Sequence, residues 1–139
     1  MSGPILPTHS CFDDALDYME FRVKQSRRCI NTLFLVHAIC LAPEGPKKGR
    51  PFAHAWVEEE VEGRWVAWQD GYLGGERITY SCDRDALVAS LRVQEFTRYT
   101  VKQAAEENRR TVHFGPWLPQ YEALCGDGTS ERFEPEVAP

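Results

Sequence analysis

Long apolar runs are missing from this sequence of 139 residues. The most apolar stretch, Ile30–Ala42, contains Asn31, Thr32 and His37 and is too short to cross a bilayer, so we expect it to form part of a folded core. The first ten residues have neither a basic start nor an apolar middle, which argues against a secretory signal peptide. We therefore expect a cytoplasmic protein that does not enter a membrane.

The cysteines show no pattern of a disulfide framework or a zinc site. No two of them form a Cys-x-x-Cys pair, and the histidines and cysteines have no known metal-ligand spacing. We expect neither a disulfide scaffold nor a metal centre, and nothing indicates a cofactor. The five cysteines, an odd number, are Cys11, Cys29, Cys40, Cys82 and Cys125.

Basic charge is not concentrated anywhere in the sequence. The formal net charge is -5 and the basic residues form no block, which argues against nucleic acid or an anionic membrane as the main partner. The length suits one domain, and four Trp, five Tyr and seven Phe supply large packing units for a core. We predict one domain over residues 1–125 and a loosely held polar tail over residues 126–139.

The first strong pattern is an amphipathic helix predicted over residues 11–27. Ser10 is placed to cap it, and Asp13 and Asp14 lie in the first turn, where the helix dipole favours negative charge. One apolar stripe with three-to-four spacing runs along the helix and consists of Phe12, Ala15, Leu16, Met19 and Val23.

Most of the following elements are predicted strands of an antiparallel sheet. The composition of Cys29–Ala42 favours a strand buried on both faces. From Pro51 on, His54, Trp56 and Glu58 alternate with small apolar residues, and we expect Glu58 to be solvated. The fold class is therefore α+β, a helix packed on an antiparallel sheet with additional C-terminal helices. The further elements are strands over 64–70, 77–80, 95–99 and 111–114, a short helix ending at Leu91, and a helix over 101–110 that Thr100 caps.

Cys11 is the candidate nucleophile because it opens the first helix. Unpaired N–H groups at a helix start stabilise a thiolate or a developing oxyanion. Asp13 and Asp14 oppose this effect, so we expect an imidazole to be the main stabilising group. The rival nucleophile is Cys29, which requires residues 30–41 to form a helix.

His54 is the candidate base, and Asp70, sixteen residues later, is the candidate acid that orients it. A three-residue loop, Val61–Gly63, puts these two side chains opposite each other on one face of the sheet, whereas a two-residue loop, Glu62–Gly63, puts them on opposite faces. The position of the glycine favours the longer loop, which we predict. Cys11, His54 and Asp70 then form a nucleophile, base and orienter.

Three segments resemble the transglutaminase-like group of papain-like cysteine enzymes. Cys11–Leu16 looks like the nucleophile segment of that group, His54–Glu58 like its histidine strand and Trp65–Asp70 like its aspartate strand. The resemblance covers about residues 8–72 and implies a papain-like core. Where the group often has a further polar or aromatic residue at the oxyanion site, before the cysteine, this chain has only His9 and Ser10.

The resemblance also implies a reaction. Cys11 attacks an amide or acyl carbonyl of a peptide or protein, His54 moves the proton, and Asp70 holds the imidazole. With water as second substrate the enzyme is a peptidase, amidase or deamidase, and with an amine it is a transglutaminase. We expect Trp56, Trp68 and His9 to contact the substrate.

A function without catalysis is the alternative. The chain could be a binding or regulatory protein that reuses this fold, with Trp56, Trp68 and Trp117 shaping a groove, or a partner could cover the segment after Thr100. We expect His37 to lie in the core. The oligomeric state stays open.

Overall fold

The computed structural model describes residues 11–43 and 45–125, without the side chains of residues 71–73 and 77, so the predicted tail and the Ser10 cap lie outside the described residues. The described chain is α+β, with a five-stranded antiparallel sheet in the order β4-β3-β2-β1-β5. In chain order its elements are α1 (Cys11–Gln25), a 3-10 helix (Arg27–Asn31), β1 (Leu33–Leu41), β2 (Pro51–Val61), β3 (Arg64–Leu73), β4 (Glu76–Asp83), α2 (Arg84–Ser90), β5 (Glu95–Thr100), α3 (Val101–Thr111) and α4 (Pro119–Glu122).

Helix α1 confirms the predicted first helix, and its apolar stripe packs on the sheet. Phe12, Ala15, Leu16 and Met19 are buried. The helix ends at Gln25, slightly before the predicted end, because the chain continues as a 3-10 helix. Among the described residues, no helix is both long enough and apolar enough to span a membrane.

Both faces of the sheet are covered. Side chains of a strand alternate between the two faces, so the central strands present apolar side chains to both. Helix α1 lies on the face formed by odd-numbered residues of β1 and β2, such as Leu35 and Ala55. Helix α2 lies on the opposite face, with Leu87 and Leu91 against even-numbered residues such as Trp56. Strand β1 is buried from both sides, which confirms the strand predicted there, although residues 27–31 are 3-10 helix.

The later elements are confirmed with one exception. Asp83 accepts a hydrogen bond from the backbone of Ala86, and Thr100 and Gln103 form a capping box at the start of α3. The strand predicted over residues 111–114 is wrong, because α3 extends to residue 111 and Val112 then adopts a left-handed conformation with φ 62°. The chain turns there, and Trp117 and Tyr121 pack against the core on the α1 face.

The hairpin between β2 and β3 has a two-residue turn, so the predicted three-residue loop is wrong. Val61 pairs directly with Arg64. Glu62 and Gly63 have φ values of 51° and 80°, the sign that a type I′ turn requires at both positions. This turn matches the twist of the flanking strands, and it shifts the register by one residue relative to the prediction.

Candidate functional site

Strands β2 and β3 separate close to the residues predicted to be catalytic. Their ladder extends from the turn to the pair Val57–Trp68, and the described residues contain no further pair between the two strands. Strand β2 nevertheless begins at Pro51, and β3 stays paired with β4 as far as Leu73. A gap therefore opens in the sheet beyond Val57.

Cys11 lies at this gap. The residue is partly exposed but its sulfur is buried, and the backbone N–H of Ala55 donates a hydrogen bond to the sulfur. A narrow cavity of about 10 Å³ lies beside the thiol, enough for one water molecule. The residues that line the cavity include Asp14 and Tyr18 from α1 and Trp68, Gln69 and Asp70 from β3.

The thiol of Cys11 is protonated in this state. Burial raises its pKa far above the ordinary value, and the nearby Cys125 and Asp14 raise it further. The hydrogen bond from Ala55 lowers the pKa but does not offset the loss of solvent. The helix start is therefore not enough to produce a thiolate here.

His54 lies on the other face of the sheet, between Phe52 and Trp56, with its ring centroid 5.9 Å from each of theirs. Its Nε2 atom is 2.9 Å from Oε1 of Gln69, and the amide nitrogen of Gln69 donates to the hydroxyl of Tyr80. Because Oε1 can only accept, His54 carries a proton on Nε2. Burial lowers the pKa of His54 and the bond to Gln69 opposes this, so the ring is neutral.

Asp70 faces the side of Cys11 and not the side of His54. Its carboxylate accepts a hydrogen bond from Oγ1 of Thr79 at 2.8 Å and lines the cavity beside the thiol. The role predicted for Asp70, as partner of the His54 ring, is occupied by Gln69. The register explains why Gln69 replaces Asp70 as the partner of His54. Side chains alternate between the two faces along a strand, so a shift of one residue moves each side chain to the other face.

The structure thus brings Cys11 and Asp70 to one cavity and connects His54 to it only through Gln69. The described residues contain no hydrogen bond between Cys11 and His54. The sequence interpretation missed Gln69. The signal that could have revealed it was the two-residue loop, which places the neighbour of Asp70 on the face of His54.

The residues predicted to contact substrate have different environments. Trp56 is 1% exposed and its Nε1 donates to Glu58, so it belongs to the core. Trp68 packs beside Tyr18, with ring centroids 5.3 Å apart, and lines the cavity. His9 lies outside the described residues.

The rival nucleophile does not have the predicted setting. Residues 33–41 form strand β1, and not the helix that its role requires. Cys29 is a buried free thiol, 3.3 Å from a guanidinium nitrogen of Arg22 and 3.8 Å from a carboxylate oxygen of Glu59. Within residues 11–43 and 45–125, no cluster of His, Cys, Asp and Glu is suited to hold a metal ion.

A second and larger concavity lies between α1 and α3. Its volume is about 310 Å³. Glu20 and Lys24, both exposed, supply its charged groups. Its apolar wall consists of Leu16, Met19 and Val23 from α1 and Val101 and Ala105 from α3.

Comparisons of the chain with protein families, curated proteins and solved structures give no match. The function is therefore argued from the residues and their geometry.

Proposed function

We propose that the protein is a cysteine-dependent acyl-transfer enzyme with Cys11 as its nucleophile. One observation carries the proposal: Cys11, Asp70 and Gln69, the partner of His54, line a single cavity where β2 and β3 separate. The resemblance of three segments to transglutaminase-like enzymes supports the same assignment, and a papain-like core is part of the proposal.

In the proposed reaction the sulfur of Cys11 attacks the carbonyl carbon of an amide or acyl group in a peptide or protein. The thiol proton passes to Nδ1 of His54, because Nε2 already carries a proton toward Gln69. The bond to the leaving group breaks, the imidazolium protonates that group, and water or an amine then accepts the acyl group. The His54 ring has to turn into the gap for this transfer.

The described state is a resting state in this proposal. The thiol is protonated and its cavity has the volume of about one water molecule. An acyl substrate therefore reaches Cys11 only after a neighbouring part of the chain moves away.

Acylation of the protein by p-nitrophenyl acetate tests this function. We expect mass spectrometry to find the acetyl group on Cys11 before the other partly exposed cysteines, Cys82 and Cys125. Replacing His54 with Ala removes a general base and lowers the rate at Cys11 about 10²-fold or more. Equal rates at the three thiols, or no effect of His54→Ala, would contradict the proposal.

A second candidate function is non-catalytic ligand binding, and the groove between α1 and α3 favours it. Its volume of about 310 Å³ lies at the lower end of the range of about 300–1,000 Å³ that small-molecule sites occupy. The mainly apolar wall with a few charged groups suits a small apolar molecule that carries one charge.

The dye 1-anilinonaphthalene-8-sulfonate has that chemistry and serves as the probe. We expect one molecule to bind per chain, and Ala105→Trp, which fills the groove, to abolish the fluorescence gain. Ala89→Trp is the matched control, because Ala89 is also an exposed alanine on a helix but lies on α2. Equal binding by both variants would exclude the groove as the site.

A further inference from the structure

His37 is a buried histidine without a polar partner on the same sheet face as Cys11. Its side chain is 0% exposed, and neither ring nitrogen has a hydrogen-bond partner among the described residues. The hydroxyl of Tyr99 also has none there, and the two ring centroids are 5.0 Å apart. This confirms the prediction that His37 lies in the core. Buried polar atoms without partners are few in folded proteins, so this pair requires an explanation.

The ring of His37 is covered by residues 112–125, which we call the strap. The indole of Trp117 lies 5.1 Å from the imidazole between ring centroids, and the ring of Tyr121 lies 6.3 Å away. At Gly115 the backbone of the strap approaches so closely that a Cβ atom would lie 2.8 Å from Cε1 of His37. The strap therefore seals the imidazole from solvent.

The strap also covers the start of α1. The ring of Phe12, the neighbour of Cys11, meets the His37 ring edge-on at 4.7 Å, and a Cβ on Gly115 would touch Phe12. Cys125, at the end of the strap, is among the nearby groups that raise the pKa of the Cys11 thiol. Lifting the strap therefore uncovers the imidazole and frees the start of α1, where Cys11 lies.

Among the described residues, the contacts that attach the strap to β5 are apolar packing and hydrogen bonds of Tyr121 and Gln120. The hydroxyls of Tyr121 and Thr97 are 2.8 Å apart, and the amide of Gln120 donates to Glu95 at 3.0 Å. Within the strap, the backbone N–H of Gly115 donates to Nδ1 of His113. The described residues contain no salt bridge between the strap and the sheet.

We propose that the strap is an acid-released latch over Cys11 and that His37 is its proton sensor. This inference rests on the proposed function in so far as the Cys11 thiol is the nucleophile. A proton on the sealed imidazole creates a charge among aromatic rings, which solvent can stabilise only when the strap lifts. Acid therefore shifts the equilibrium toward the lifted state.

The groups around His37 do not provide an alternative partner for that charge. The titratable groups that pack against the ring are the phenols of Tyr99 from β5 and Tyr121 from the strap, and burial raises the pKa of both. Glu107 acts on Tyr99 and Glu95 on Tyr121, behind these phenols. The other neighbours, Phe12 from α1, Ala55 from β2, and Gly115 and Trp117 from the strap, have no charge.

The direction of the pH effect follows from the two states of the latch. With the strap closed, burial lowers the pKa of His37 to about 3, whereas the ordinary value is 6.5. The lifted state therefore binds the proton more tightly. Its population rises about tenfold for each pH unit below about 6.5.

Hydrogen exchange measured by mass spectrometry tests the latch. After correction for intrinsic exchange rates, we expect the protection of strap peptides to fall about tenfold between pH 6 and pH 5. His37→Phe keeps an aromatic ring but cannot titrate, so its strap protection does not change with pH. His113→Gln is the control, because it removes the exposed histidine of the strap and leaves His37 in place. The proposal is overturned if His37→Phe keeps the acid response or if His113→Gln loses it.

A second measurement on the unmodified protein covers the case in which His37→Phe does not fold. The ring Cε1–H signal of His37 is followed by NMR from pH 7 to pH 4. We expect the ring to stay neutral while the strap is mainly closed, because the closed state holds its pKa to about 3, and to become charged only where strap protection is lost. A charged ring under a protected strap overturns the latch. Acetylation of Cys11 by p-nitrophenyl acetate is measured in parallel. Strap release without acetylation contradicts the proposed function alone, and acetylation without strap release contradicts the latch alone.

Discussion

The imidazole of His54 is joined to the side-chain amide of Gln69, with Nε2 and Oε1 2.9 Å apart. Gln69 is the partner of the His54 ring in place of the predicted Asp70, and it has no charge. A neutral amide fixes the tautomer of the ring as a carboxylate does, yet it stabilises an imidazolium much less. Burial therefore lowers the pKa of His54, and the bond to the neutral amide opposes this only in part.

Replacing Gln69 with Glu tests this relationship. A carboxylate beside the imidazole favours its charged form, so we expect the pKa of His54 to rise by about one unit or more, measured by NMR titration of the ring signals. The matched control is Asp70→Asn at the next position, which faces the side of Cys11 and leaves the titration of His54 nearly unchanged. A larger shift in the control than in Gln69→Glu would mean that Asp70 is the partner of His54 in solution.

The buried histidine of β1 predicts how global stability depends on pH. The folded state holds the pKa of His37 near 3 and the ordinary value is 6.5, so the unfolded chain binds more protons between these limits. The free energy of unfolding therefore falls as the pH drops below about 6.5, by up to about 1.4 kcal/mol per pH unit from this group. His54, whose pKa is also lowered, adds an effect of the same sign.

Urea unfolding at pH 7 and pH 5, followed by circular dichroism, measures this dependence. We expect His37→Phe to lose less stability between the two pH values than the unmodified protein. His113→Gln should lose as much as the unmodified protein. If the loss is the same in all three proteins, the pH dependence does not arise from His37.

The backbone approach at Gly115 gives a prediction about the strap. A Cβ atom there would lie 2.8 Å from Cε1 of His37, and the φ of 107° is also unfavourable for other residues. We expect Gly115→Ala to destabilise the protein by about 1–3 kcal/mol. Gly49→Ala is the control for backbone strain alone, because φ is 82° there and a Cβ would meet nothing within 4 Å. Thermal unfolding compares the two, and equal losses would argue against close packing of Gly115 on His37.

The sequence predicted those parts of the fold that are decided locally. Helix α1 follows from its apolar stripe and acidic first turn, and α3 from the Thr100 cap and the helix-forming run 103–107. The predicted hairpin register is wrong because Glu62, a residue other than glycine, adopts the left-handed region and closes the two-residue turn. Residues other than glycine seldom adopt that region, so the sequence favours the longer loop. A single residue therefore decided on which face the partner of His54 lies.

The remaining parts of the site depend on contacts between distant segments. The sequence placed His37 in the core but could not show that its ring nitrogens lack partners, since this depends on how residues 112–125 pack over β1. Thr111 and Val112 suit a strand by residue type, yet α3 extends to Thr111 and the chain turns at Val112. The gap between β2 and β3 likewise has no signature in either strand alone.

Glu58 is buried, although the sequence predicts a solvated residue. Its side chain is 1% exposed. Its carboxylate accepts hydrogen bonds from Arg98 at 3.0 Å, Arg84 at 3.3 Å and Nε1 of Trp56 at 3.1 Å. Replacing it with Gln leaves the guanidinium of Arg98 without this counter-ion and leaves Arg84 with the exposed carboxylate of Asp85, 2.8 Å away. The side chains of Arg98 and Arg84 are 34% and 21% exposed, so we expect a loss of about 1–3 kcal/mol, less than for a fully buried pair.

Glu60→Gln is the control for this substitution. Glu60 lies on the same strand and the same face as Glu58, but it is exposed, so its replacement should change stability by less than about 0.5 kcal/mol. Urea unfolding at pH 7 measures both variants. Equal effects would mean that the two arginines do not depend on Glu58. A loss confined to Glu58→Gln places the buried carboxylate among the interactions that hold β5 and α2 to the central strands, since Arg98 and Arg84 belong to those elements.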